Sequence, residues 1–279
     1  MVTLITGTSS GVGLETALLF AKNGYSVYAS MRDTTKNEKL LAAAKHENFD
    51  LKIIELDVCN TASIQKAVDT VIREEGTIDI LVNNAGAGFA KSTEQATDEE
   101  IQWVIQTNLL SVIRCTKAVL PIMKAQKSGH IINLSSVGGL VGQPFNELYC
   151  AAKFGVEGYT EAMATYITEP FGIHFSAIEP GGIATEFIKS ATQKTLGSSG
   201  LPNDDYTPIL QKYLARSQQR ADSVQQPHQV AQIIWQVAQS KNPPIRIRTS
   251  AWAEALCMLK TKEDPTGHLQ NQKVIEQFL

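Results

Sequence analysis

Tyr149 and Lys153 stand four residues apart in Leu148-Tyr-Cys-Ala-Ala-Lys-Phe154, a spacing that puts both side chains on one face of a helix. A phenol beside a fixed ammonium is a proton donor. Free tyrosine ionises near pH ~10, and an adjacent cation favours the phenolate and draws that value toward neutral pH. The pair can then protonate or deprotonate an alcohol oxygen. Tyr-x-x-x-Lys also arises where the two residues merely pack and solvate a helix, so its meaning depends on the elements that position it.

At the opposite end of the chain, Val2-Thr-Leu-Ile-Thr6 is an apolar, β-branched run that leads into Gly7-Thr-Ser-Ser-Gly-Val-Gly13 and then an amphipathic stretch from Leu14 to Lys22. This predicts strand, glycine turn, helix. Glycines let the backbone turn sharply and approach a ligand closely, and a helix start offers unpaired N–H groups at a positive dipole end, so Gly7, Ser9, Ser10, Gly11, Val12 and Gly13 are candidates to hold a pyrophosphate. A tight turn of small residues is the plainer alternative. The spacing of Gly7, Gly11 and Gly13 departs from the commoner G-x-G-x-x-G fingerprint.

Thr6-Gly7-Thr-Ser-Ser-Gly11-Val-Gly13, Asn83-Asn-Ala-Gly86, Asn108, Ser136, Tyr149-x-x-x-Lys153 and Pro180-Gly181 follow one another in an order and spacing that resembles the short-chain dehydrogenase/reductase family, in its compact single-domain branch, over the whole chain. Ser136 to Phe154 is most similar to the 17β-hydroxysteroid dehydrogenases of the estrogen type and the photoreceptor-type retinol dehydrogenases, with a weaker likeness at Tyr213-Leu-Ala-Arg-Ser217 and Asp264-Pro-Thr-Gly267. The resemblance implies hydride transfer between a nicotinamide cofactor and a carbonyl or alcohol. In that scheme Tyr149 is the general acid/base, Ser136 orients the reacting oxygen, and Lys153 lowers the tyrosine pKa and binds the nicotinamide ribose. Asn108 holds Lys153 through a water. Ser136 is preferred to Ser135 because the family serine lies thirteen residues before the tyrosine and adjacent strand residues face opposite ways. The resemblance also assigns Asp57, with Val58, to the adenine, Asn84, Ala85 and Gly86 to the adenosine ribose, and Pro180, Gly181, Ile183 and Thr185 to the nicotinamide.

Strand-like runs at Ser26–Ala29, Leu51–Leu56, Ile78–Val82, His130–Leu134, Ile173–Ile178 and Ile245–Ile247 alternate with helical patterns, which argues for a mostly parallel α/β sheet with right-handed crossovers. The expected fold is a Rossmann-type doubly wound sheet of about seven strands in the order 3-2-1-4-5-6-7, with helices on both faces. Ligands then sit beyond the carboxyl ends of the strands. One catalytic domain over residues 1–279 is expected, with a substrate lid at about 182–221 and a C-terminal extension at about 249–279. The stretch from Gly182 to Asn203, rich in Ser, Thr and Gly, reads as that lid or as a surface loop.

Cofactor choice falls at the end of strand 2, in Ser30-Met31-Arg32-Asp33. An acid there would hydrogen-bond the ribose hydroxyl of NAD, and an arginine would accept the 2′-phosphate of NADP. Met31 takes the acid's place, and Arg32 with Ser9 favours NADP(H). Asp33 could pair with Arg32 or reach the ribose itself, so NAD(H) stays possible. For the substrate, Leu140, Phe145 and Phe187 suggest an apolar ketone, aldehyde or alcohol, or else core packing. Arg216 stands where the estrogen-type enzyme carries a histidine, and could meet a substrate carboxylate or lie solvated.

The 279 residues, 43% hydrophobic and 19% charged with a formal charge of −3, give no reason to expect nucleic acid or an anionic membrane as partner. No apolar stretch reaches the ~18 residues of a membrane span, and a strand starting at residue 2 leaves no room for a targeting peptide, so a cytoplasmic setting is expected. Four scattered cysteines and no ligand-spaced histidines argue against disulfides and a metal. The helical stretches around Asp98–Lys124 and Tyr149–Phe171 resemble those that pair across a two-fold axis in the family, implying a homodimer or homotetramer. The alternatives are a non-catalytic dinucleotide sensor on the same fold and an extended-branch sugar-nucleotide epimerase. Against them stand the full set of Asn108, Ser136, Tyr149 and Lys153, and the lack of the epimerase turn and long substrate domain.

Overall fold

Apolar residues on consecutive strand positions face opposite ways, so a strand that is apolar throughout needs cover on both faces. In a computed structural model describing residues 1–47, 49, 51–185, 204–218 and 224–278, β1 (Val2–Thr6), β2 (Ser26–Met31), β3 (Lys52–Glu55), β4 (Ile80–Asn83), β5 (Gly129–Leu134), β6 (Ile173–Glu179) and β7 (Arg246–Arg248) form one parallel sheet. Its order is β3-β2-β1-β4-β5-β6-β7, as the sequence predicted. On one face Val2, Leu4, Tyr28, Leu81, Ile131 and Phe175 pack against α3 (Thr61–Glu75), α5 (Ser111–Gln126) and α6 (Glu147–Phe171). On the other, Ile5, Val27, Ala29, Val82, Ile132 and Ile178 meet α1 (Gly11–Lys22), α2 (Glu38–Glu47) and α8 (Pro227–Gln239). The remaining helices are α4 (Asp98–Ile105), α7 (Thr207–Gln218), α9 (Ala251–Thr261) and α10 (His268–Phe278).

Two departures from the expected elements bear on function. Helix α1 begins at Gly11 rather than Leu14, so the last glycines of the turn are its first turn. The stretch Asp98–Lys124 is not one regular helix. Its course between α4 and α5 widens into a π-type turn, Gln106–Leu110, with Asn108 fully buried at its centre. Such widening is common at functional sites. Among the described residues no helix is long and apolar enough to cross a membrane, and no cluster of His, Cys, Asp or Glu is placed to hold a metal.

His130 on β5 lies in the core, with Nε2 3.0 Å from Ser176 Oγ, whose hydroxyl donates to Pro244 O at 2.6 Å. Ser176 has one proton to give, so His130 Nε2 is the donor between them. Burial, helped by His174, pushes His130 down to about 3. An unfolded histidine takes up its proton near pH ~6.5, so the unfolded chain gains a proton that the native state refuses, and stability is lost as pH falls from about 6.5 toward about 3. The expected slope from this group approaches about 1.4 kcal/mol per pH unit inside that window. His130→Gln, which keeps an N–H donor for Ser176, should lose less stability than the parent between about pH 7 and about pH 5 in urea unfolding. Equal losses would remove His130 as the cause.

Candidate active site

The chain leaves β1 at Thr6 and turns at Gly7, whose φ of 73° favours glycine. At Gly13 a Cβ would lie 2.3 Å from Gly7 O and 2.4 Å from Asn84 Nδ2, so only a glycine lets α1 come this close to the strand end. Asn84, just past β4, braces the turn. Its Nδ2 donates to Thr6 O (2.8 Å) and Gly7 O (2.9 Å), while Thr6 Oγ1 accepts from the backbone N–H groups of Asn84 and Ala85, both at 3.0 Å. Helix α1 starts at Ser10 with no side-chain cap and no acid in its first turn, and Ser9 precedes it. Val12 turns into the core. A glycine-lined helix start of this kind fits an anion, and the pyrophosphate of a dinucleotide is the anion whose cofactor also matches the remaining groups.

Those groups converge from the ends of β3, β4 and β6. Asp57 Oδ1 accepts from Cys59 N at 2.9 Å, and Val58 packs on the core. Thr185 Cγ2 would be 3.1 Å from a Cβ on Gly11, which puts the segment after β6 against the glycine turn. Pro180 O accepts from Val137 N at 2.9 Å, Gly181 is backed by the Trp252 ring, and Ile183 forms an isolated parallel bridge with Gln225.

The end of β5 and helix α6 bring Ser136, Tyr149 and Lys153 together. Ser136 Oγ caps the Val137–Gly139 turn by accepting from Gly138 N at 3.0 Å, and a hydrogen bond joins Ser136 to the Tyr149 phenol. Ser135 points the other way, toward Gly139 and Glu157. Lys153 Nζ donates to Leu134 O at 2.7 Å and stands 5.7 Å from the Tyr149 ring centroid. The electrostatics correct one expectation: Tyr149 is not drawn down. Burial pushes it up to about 12 despite the Ser136 bond, while the lysine is turned to a backbone carbonyl. Burial also lowers Lys153 to about 8. At neutral pH both therefore carry their protons.

Asn108 is fixed by direct bonds to the backbone. Its Nδ2 donates to Ala87 O and Val104 O, each at 3.0 Å, and its Oδ1 accepts from Ala87 N at 2.9 Å, so the amide pins the loop after β4. Gly86 lies between Asn108 and Lys153. A Cβ there would be 3.1 Å from Asn108 Oδ1 and 3.9 Å from Lys153 Nζ. A buried polar chain beneath the site, unforeseen from sequence, runs from Asn83 Nδ2 to Asn133 Oδ1 (2.9 Å) and from Asn133 Nδ2 to Thr160 Oγ1 (2.9 Å).

At the end of β2, Met31 is packed in the core, Arg32 is exposed, and Asp33 neither pairs with Arg32 nor stands free. Asp33 Oδ1 accepts from Thr35 N (3.1 Å) and Thr35 Oγ1 (2.6 Å), capping the short Thr34–Asn37 turn. Between the stretch after β5, α7 and α9, a groove of about 440 Å³ is lined by Val141, Pro144, Ile209, Tyr213, Trp252 and Leu256, with Lys212 among them. Leu140 and Phe145 lie beneath this surface, buried, Leu140 against Val137, Ala253 and Cys257, and Phe145 6.0 Å from the Tyr213 ring. Phe187 lies outside the described residues, as does most of the expected lid; Arg216 falls on α7, its side chain outside them too. Sequence reasoning missed Trp252 and Leu256, whose only signal was their place in an apolar helix of the C-terminal extension.

Residues 1–196 match the family model for short chain dehydrogenase. Retinol dehydrogenase 8 of Bos taurus is 38% identical over 95% of this chain and 86% of its own length. The 17-beta-hydroxysteroid dehydrogenase type 1 of Homo sapiens is 35% identical over 95% of this chain and 82% of its own. Among solved structures, an actinorhodin polyketide ketoreductase with NADPH superposes with a TM-score of 0.76 at 28% identity, covering 88% of this chain and 94% of that one. With a glycine turn, a Ser136–Tyr149–Lys153 cluster and a seven-stranded sheet already in place, these matches establish that the chain belongs to the short-chain dehydrogenase family of oxidoreductases.

Proposed function

We propose that this oxidoreductase interconverts a carbonyl and an alcohol on a mainly apolar substrate, ketone, aldehyde, steroid-like or retinoid-like, with NADP(H) preferred. The observation that carries this reading is the Ser136–Tyr149 hydrogen bond, with the Lys153 ammonium 5.7 Å from the phenol ring. The nicotinamide cofactor, when bound, supplies or accepts the hydride. Tyr149 gives its proton to the carbonyl oxygen as charge develops there, and Ser136 hydrogen-bonds the same oxygen to fix its position. A phenol held near 12 keeps its proton at neutral pH until that moment. Lys153 keeps a positive charge one helical turn away, which stabilises the phenolate left behind. Gly11, Gly13 and the start of α1 would hold the pyrophosphate, Asp57 the adenine, Asn84 to Gly86 the ribose, and Pro180 to Thr185 the nicotinamide. The names of the two relatives, a retinol and a hydroxysteroid dehydrogenase, support the apolar substrate class.

For the cofactor's 2′-phosphate, Arg32 is exposed at the end of β2, and its neighbour Asp33 is engaged in its own turn. A charge-assisted contact contributes about 1.5–3 kcal/mol, or roughly tenfold to a hundredfold in preference. Arg32→Ala should lower the ratio of kcat/KM for NADPH over NADH by that factor. A parent enzyme that prefers NADH would remove Arg32 as the selector. An acid placed at Met31 is a poor test of this, because it would bury a carboxylate in the core.

Tyr149→Phe should reduce turnover about a hundredfold or more while leaving NADPH affinity nearly intact, since only the proton donor is removed. Retention of most of the activity would sink the assignment. Reductive kcat/KM should fall as pH rises through about 8, where Lys153 loses its charge. We also propose a homodimer through α4, α5 and α6, where Phe154 and Tyr166 are exposed. Light scattering at micromolar concentration should give twice the chain mass; a monomer would refute it.

A further inference from the structure

Behind the catalytic cluster, α6 carries a third ionisable group, Glu157, one turn beyond Lys153 and in register with it and Tyr149. Glu157 is 5% exposed; the Ser135 hydroxyl is turned toward it, but neither of its oxygens has a hydrogen-bond partner of good geometry among the described residues. It faces Glu179, fully buried at the end of β6, whose Oε1 is likewise without a donor. Two ionised carboxylates facing each other are both acceptors, and no bond can form between them. A proton on either one makes it.

The surrounding cations do not relieve the pair. Arg248 on β7 reaches Glu179 Oε2 at 3.0 Å, but it also binds Glu254 of α9 at 2.8 Å and Pro265 O at 2.7 Å. Arg246 is engaged by Glu161 at 2.8 Å, with Asp264 at 3.8 Å. Lys153 Nζ donates to Leu134 O. Around Glu157 stand Lys153 and Glu161 on its own helix, Glu179 on β6, Arg246 and Arg248 on β7, Ser135 after β5, and Glu254 and Cys257 on α9. None gives Glu157 a cation of its own, and a buried carboxylate without one takes up a proton instead.

We propose that Glu157 and Glu179 share one proton, and that this carboxylic acid–carboxylate bond is a positioning device. It would hold the helix bearing Tyr149 and Lys153 against the strand end that leads into Pro180 and Gly181. Ser135 and Gly139 close over it: a Cβ on Gly139 would lie 2.8 Å from Ser135 Oγ and 3.0 Å from Glu157 Oε1. The pair thereby ties together the helix of the proton donor, the turn of the orienting serine and the segment proposed to hold the nicotinamide. Burial first, then the Glu179 charge, pushes Glu157 well above the usual carboxyl range, and burial raises Glu179 against the pull of Arg248.

The test is Glu157→Gln, whose amide keeps a donor for Glu179 but cannot ionise. A carboxyl raised on folding stabilises fully below its ordinary value of 4.5 and loses that stabilisation as pH climbs from there through its folded value, so the parent should lose more stability than Glu157→Gln as pH rises above about 4.5. Infrared spectra at neutral pH should show a protonated-carboxyl band in the parent that is missing from Glu157→Gln. An ionised Glu157 would instead support the Lys153 charge, and its replacement would move the alkaline limb of kcat/KM to lower pH. The expected result is a limb that stays in place or moves up. A downward shift, parallel stability curves, an unchanged band, or a Glu157→Gln protein that fails to fold at neutral pH would each overturn the proposal. The stability and infrared readouts need no substrate, so they decide it independently of the functional reading.

Discussion

One row of side chains on α6, Tyr149, Lys153 and Glu157 at successive turns, sets the terms for the rest of the site. Burying a phenol, an ammonium and a carboxyl in a line works against folding unless each finds a polar partner or stays neutral. Tyr149 finds Ser136 and keeps its proton, and Lys153 finds the Leu134 carbonyl at the end of β5. These partners come from the carboxyl end of one central strand, which explains why the catalytic helix must cross the sheet there. The helix is fixed by chemistry on its inner face and by apolar packing elsewhere, through Met163, Ala164 and Ile167.

The cofactor side obeys a different constraint, that of backbone proximity. The approach of α1 to the end of β1 is close enough that Gly13 has no room for a methyl group. A gap this narrow cannot be held by side-chain packing, and it is held by backbone acceptors instead. Asn84 supplies the donors, crossing from β4 to Thr6 and Gly7. Asn84 therefore has a structural task that precedes any contact with a ribose: it fixes the distance between the glycine turn and the neighbouring strand. Asn108 repeats this logic one loop further on, pinning Ala87 from inside a widened helical turn. Two asparagines thus set the edges of the cleft in which a dinucleotide would lie.

The central strands were legible because their runs are apolar on both faces, and their parallel pairing followed from the alternation with helices, while the order found is the one expected of a Rossmann-type sheet. The glycine turn was legible for the same reason that it works, since spacing of glycines is a backbone property written directly in the sequence. What escaped was everything decided by side-chain direction across distant segments. Asp33 and Arg32 are neighbours in sequence, yet Asp33 bends back to cap its own turn. The Tyr149–Lys153 spacing told that the two share a face, but whether the ammonium or burial governs the phenol depends on where Leu134 O lies. Trp252 and Leu256 reach the groove only because α9 packs against the Val137–Leu140 turn, a contact between residues more than a hundred positions apart.

That last contact links the groove to the segment after β6 by a continuous path. Trp252 backs Gly181 on one side and lines the groove on the other, so the segment proposed for the nicotinamide and a groove wall rest on one indole. Two residues along α9, Glu254 binds Arg248, which binds Glu179. Arg248 also grips Pro265 O, and Arg246 bonds the carbonyl of Asp264, so the stretch from Asp264 to Gly267 is fastened to the edge strand by two guanidinium groups. Asp264 in turn accepts from Gly267 N and Gln270 N, setting the start of α10. The C-terminal helices are therefore anchored through charges on β7 as well as by the packing of Ala253 and Cys257, and α9 leaves Met258 and Leu259 exposed. A wall held by a few directional bonds can change its apolar residues without disturbing the catalytic row, because the bonds and the groove face use different sides of the same helix.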